Sequence, residues 1–118
     1  MSTKMPECWA GDPNAQALRI EVSSERSLLL PHDQFIFAEL TREGDEQNLK
    51  LVFATHEVSI RGHHLRRIET IMQRLELSHL SKLPGSQLGL ITEGQPVILG
   101  IIVTGANPQD KRDQNVSE

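Results

Sequence analysis

Aromatic side chains are scarce in this chain: among 118 residues there are three phenylalanines, one tryptophan and no tyrosine. A core built from such a sequence is aliphatic, and recognition of single-stranded nucleic acid by stacking bases on aromatic rings has little to work with. Cysteine is scarcer still. Cys8 stands alone, which excludes an intramolecular disulfide and a small scaffold held by cross-links. An excess of positive charge is also missing, since 12 Lys and Arg face 16 Asp and Glu for a formal charge of -4. The overall field therefore does not draw the protein to nucleic acid or anionic membrane. Long apolar runs are absent too. The longest, "VILGIIV" at 97–103, falls well short of the roughly 20 residues that span a bilayer. The opening "MSTKMPECWAGDPNAQ" lacks the apolar core of a signal peptide, so the expected setting is cytoplasmic, without membrane contact.

What is present is the composition of one soluble domain, 37% hydrophobic and 24% charged, at a length that buries one core and not two. Residues 1–16 and 105–118 mix proline, glycine, asparagine and charge without periodicity. Both are expected to be disordered tails, with Trp9 the residue of the first tail that has reason to dock. A single domain over 17–104 remains.

Within it, "LRIEVSS" alternates, with Leu18, Ile20 and Val22 on one side and Arg19, Glu21 and Ser23 on the other, the period of a half-buried strand. "SLLL" reads as a short strand ending at Pro31, and Phe35–Arg42 as another in which Ile36, Ala38 and Leu40 share a face opposite Phe35 and Phe37. "NLKLVFATHEVSIRG" predicts a hairpin. A four-residue connection over Ala54–Glu57 sets Phe53 opposite Val58, Leu51 opposite Ile60 and Lys50 opposite Arg61, so that apolar meets apolar. After Gly62 the period changes. Leu65, Ile68, Ile71, Met72 and Leu75 lie on one stripe, which predicts an amphipathic helix over about 64–77. "LGLIT" and "VILGIIVT" flank "EGQP" and suggest a final hairpin or one long buried strand. The expected fold is α+β: a mostly antiparallel meander sheet of about five to seven strands with one helix packed on it.

The chemistry concentrates in "HEVSIRGHHLRR", residues 56–67. Zinc on a helix needs two histidines four apart, and four residues after His56 stands Ile60. His63 and His64 diverge by about 100° on a helix or to opposite faces of a strand, and the predicted hairpin carries His56 roughly 17 Å from them. No metal and no cofactor are therefore expected. Cys8 lies outside any evident pocket, and "GSQLG" lacks the spacing of a nucleophile elbow, so no catalytic residues are assigned. A small metal-dependent hydrolase is the third reading, and it requires a cleft that brings at least three of these polar groups within contact distance.

An anion site is the stronger chemical reading. Arg61, Gly62, His63, His64, Arg66, Arg67 and Arg74 gather around the start of the helix, and four arginines against Glu69 give +3 over 61–74. Helix N-termini attract anions, and cations in a first turn are unfavourable without one. The plainer reading pairs these arginines with Glu57, Glu69 or Glu76 on a solvated face. Val97, Ile98, Leu99, Ile101, Ile102 and Val103 form a strand too apolar to be left at an open edge, so they are expected to be covered or to pair with another chain. The sequence thus supports a non-catalytic interaction module, self-associating or binding an unidentified protein, with phosphate or nucleic-acid binding as the alternative.

Overall fold

Each strand that alternates apolar with polar residues has one face to bury, and one short helix cannot bury them all. A helix of eight residues is about 12 Å long, whereas seven paired strands are about 29 Å wide. The computed structural model, which describes residues 8–83 and 94–105, meets this with two sheets whose buried residues form one continuous core. Strands β1 (Trp9–Gly11), β2 (Ala17–Ser23), β3 (Arg26–Pro31), β4 (Phe35–Glu43), β5 (Glu46–Phe53), β6 (His56–His63), β7 (Leu77–Ser81) and β8 (Val97–Gly105) follow in chain order, with the helix α1 (Arg66–Gln73) between β6 and β7. One sheet has the order β1-β7-β2-β3 and the other β4-β5-β6-β8.

The fold is α+β and mostly sheet, as expected, but the single meander is corrected. Only β4-β5-β6 and the β2-β3 hairpin run as meanders, and α1 carries the chain from one sheet to the other, where β7 pairs parallel to β2. Leu65, Ile68 and Met72 are fully buried on the inner stripe of the helix, worth about 1.5–3 kcal/mol each relative to exposure.

The helix is shorter than the predicted 64–77. It stops at Gln73 because Leu75 takes a left-handed φ of 57°. The Leu75 N–H then donates to the Met72 carbonyl at 2.8 Å and the Glu76 N–H to the Ile71 carbonyl at 3.1 Å, the paired bonds of a Schellman ending. Leu77 and Leu80, at helical spacing from the stripe, instead lie on β7 with zero exposure.

Two registers also differ from expectation. The β5-β6 pairing sets Leu51 opposite Val58 and Leu49 opposite Ile60, closing at Val52 opposite Glu57. A shift of two residues keeps every side chain on its face, so burial alone does not distinguish the two registers. In β4 a bulge between Phe35 and Phe37 changes the phase. Phe35, Ala38 and Leu40 pack on the core while Ile36 and Phe37 are 60% and 50% exposed.

Within the stretch 1–16 expected to be a tail, Trp9–Gly11 pair antiparallel with β7 and Trp9 packs against the core. Residues 1–7 and 106–118 lie outside the described residues, as does "LGLIT".

Candidate functional site

At one end of the second sheet the β4-β5 turn, the last residues of β6 and the first turn of α1 come together. Gly44, at a φ of 62°, makes that turn with Asp45, between Glu43 and Glu46 as the closing pair. Gln47 stands opposite Gly62. Its side-chain oxygen accepts the Leu65 backbone N–H at 2.7 Å, satisfying a donor at the helix start where no side chain of the preceding residues caps. The Nδ1 of His63 lies 3.0 Å from the Asp45 carbonyl oxygen. A carbonyl only accepts, so Nδ1 carries the proton and donates. His64 follows with a φ of 56°, a left-handed conformation in which histidine is several-fold enriched over most side chains. These constraints place His63 and His64 around a hollow of about 230 Å³ lined by Arg42, Gly44, Asp45, Gln47 and the two histidines.

The seven residues expected to form one anion site are divided among several places. Arg61 points from the outer face of the sheet, where its Nη1 donates to both carboxylate oxygens of Glu46 at 3.2 Å. Gly62 is buried against Val97. His63 and His64 share the hollow. Arg66 lines a different groove, of about 380 Å³, between β4 and α1 with Phe35, Ala38, Glu69, Thr70 and Gln73. Arg67 and Arg74 are exposed on the helix and at its C-terminal end. The pairing of these arginines with Glu57, Glu69 or Glu76 is not seen among the described residues, where the one arginine ion pair within 4.0 Å is Arg61 with Glu46. Glu57 instead faces Lys50, which also reaches Glu39. All three ion pairs are substantially exposed and worth little for stability.

Nothing in the sequence marks Arg42 or Gln47 as site residues. Gln47 comes opposite Gly62 only in the observed register, two residues from the one the apolar pattern suggests, and Arg42 becomes a neighbour of the histidines only because the β4-β5 turn folds it there. Among the described residues no group of three or more His, Cys, Asp or Glu could hold a metal ion.

Among the described residues the apolar strand is an edge. Val97 and Ile98 are buried, Leu99, Ile101 and Val103 half-buried, and Ile102 is 67% exposed on the outer face opposite Ser59. Among the described residues β8 pairs along its length only with β6, and on its other side a single bond runs from the Leu83 N–H to the Ile98 carbonyl at 2.9 Å. No helix among the described residues is long and apolar enough to cross a membrane. Compared with protein-family models, with curated proteins and with solved structures, the chain has no significant match.

Proposed function

We propose that this protein is a non-catalytic interaction module that self-associates by pairing β8 with β8 of a second copy. The observation that carries this is a contrast between edges. From Val97 to Gly105 the β8 edge has no charged residue, no proline and an exposed isoleucine. The other edges carry the features that discourage strand addition. β4 has Glu39, Arg42 and Glu43 together with its bulge, β3 has Arg26 and Pro31, and β1 is only three residues long. Beyond the Ile98 carbonyl, which accepts from Leu83, β8 has no strand on this side among the described residues; backbone donors and acceptors along such an edge are satisfied by another strand, and a two-fold pairing of β8 with itself closes after two copies.

Sedimentation velocity over a wide concentration range tests this. A reversible monomer–dimer equilibrium is expected, and Ile102→Lys, at an exposed position, is expected to shift it at least tenfold toward monomer with an unchanged circular dichroism spectrum. A wild-type protein that stays monomeric at every concentration overturns the proposal, and a variant that dimerises as well as wild type removes β8 from it.

A further inference from the structure

The hollow between the β4-β5 turn and the end of β6 presents more hydrogen-bond donors than acceptors. Arg42 has no carboxylate within 4.0 Å among the described residues. The oxygen of the Gln47 amide is engaged by the Leu65 N–H, which leaves its NH₂ group as the end with donors to offer. The Nδ1–H of His63 is engaged by the Asp45 carbonyl, so its Nε2 can donate only when the ring is an imidazolium. His64 completes the rim. Asp45 is the one acid in the lining, and it holds His63 through its backbone oxygen, not its carboxylate. With both rings protonated the lining carries three positive charges against one negative.

We infer that this hollow binds a tetrahedral oxyanion, a phosphate group borne free or on a nucleotide, between Arg42, the Gln47 amide and the imidazolium forms of His63 and His64. This is independent of the pairing of β8. Arg42 supplies the planar fork that matches an oxyanion, and the histidines add charge-assisted donors. The charged or titratable groups facing the hollow are Arg42 from β4, Asp45 from the turn, His63 from β6 and His64 from the residue before the helix; on β5 Gln47 is neutral and Glu46 is held by Arg61 on the outer face.

The test uses sulfate as the first probe, because sulfate is a tetrahedral dianion whose charge is the same throughout the neutral pH range. Titration of the full chain, followed by amide and imidazole NMR shifts at constant ionic strength, is expected to give saturable changes at Gly44, Gln47, His63 and His64. Arg42→Gln is expected to weaken binding at least tenfold. Asp45→Asn, which keeps the backbone carbonyl that holds His63, is expected to strengthen it several-fold. Inorganic phosphate and a 5′-mononucleotide form the second arm: equal affinity identifies the anion alone as the ligand, and tighter binding of the nucleotide identifies it as the carrier. Shifts that do not saturate, or that are the same in Arg42→Gln and wild type, overturn the inference.

Discussion

The Cα of Gly62 lies so close to the Val97 carbonyl that a Cβ built on it would meet that oxygen at 1.8 Å and the carbonyl carbon at 2.9 Å. The obstacle is backbone, which no rotamer change removes, and it sits where the β6-β8 register slips between Arg61 and Gly62. Gly62 is therefore needed for space and not for a left-handed φ, which among the described glycines belongs to Gly44 and Gly94. Gly62→Ala is expected to destabilise the protein by about 2–4 kcal/mol, because either β8 or the bulge must move. Gly94→Ala, at a φ of 89° with nothing within 4 Å of the added Cβ among the described residues, is expected to cost only about 1–2 kcal/mol. Urea unfolding of the two variants checks this, and a Gly62→Ala midpoint equal to that of wild type contradicts it.

Leu75 holds a conformation that glycine adopts without strain. At the C′ position of α1, with a φ of 57° and 42% exposed, it pays the steric cost of a left-handed residue, about 1 kcal/mol. Leu75→Gly removes that cost and gives up only a half-exposed side chain, while raising the entropy of the unfolded chain. The balance is expected to leave the variant as stable as wild type or up to about 1 kcal/mol more so. Leu75→Val places a β-branched side chain at the same φ and is expected to lose about 1 kcal/mol or more. Thermal unfolding of the pair reads the order directly: glycine above valine is the expected result, and the reverse order shows that side-chain packing outweighs backbone strain here.

That unusual helix ending also explains why the sequence overstates the helix. Leu65, Ile68 and Met72 declare the inner stripe correctly, but nothing in "RLEL" signals a stop, since the residue that turns the chain is neither glycine nor proline. The strand pattern is legible where alternation is strict, as in Leu18 and Ile20 or Leu49 and Leu51. It misleads where a bulge shifts its phase, as at Ile36. Which strands pair is a different kind of information. The parallel contact of Ile20 with Leu80 joins residues 60 positions apart, and the hydrophobic periodicity of either one is the same whatever its neighbour. For the same reason the histidines of the hollow are visible in the sequence, whereas Arg42 becomes their neighbour only through a turn made two strands earlier. The uncharged run at 97–103 is legible because its meaning is local: an apolar strand needs cover wherever it stands.

His32 ties the two halves of the first sheet's connection together. Its Nε2 lies 2.7 Å from the Leu77 carbonyl oxygen and the residue is 5% exposed, so Nε2 carries the proton and donates to the start of β7. Nδ1 is buried without a partner among the described residues. Substituting leucine leaves the Leu77 oxygen buried without its donor, a cost of about 1–3 kcal/mol, partly offset by the relief of the unpaired Nδ1. His32→Leu is expected to lose about 1–2 kcal/mol in denaturant unfolding with β7 amides exchanging faster. His32→Gln, which can present an N–H to the same oxygen, is expected to recover part of that loss. A leucine variant more stable than wild type would mean that the unpaired Nδ1 costs more than the bond to Leu77 returns.

Cys8 reports on the segment that ends in β1. The side chain is 1% exposed, its sulfur lies 3.5 Å from the Pro96 carbonyl, and its own carbonyl accepts the Ser81 N–H at 2.8 Å. It thus touches both the end of β7 and the residue before β8. Because β1 pairs through only three residues at a sheet edge, its detachment needs less free energy than global unfolding. Labelling of the thiol by a disulfide reagent is expected to be slower than for a free thiol by orders of magnitude, yet faster than the rate that global stability allows. Low urea is expected to change that rate little, since opening β1 exposes little surface. Labelling at the rate of an unstructured peptide would show that Cys8 does not dock, and a urea dependence as steep as that of global unfolding would show that β1 opens only with the whole domain.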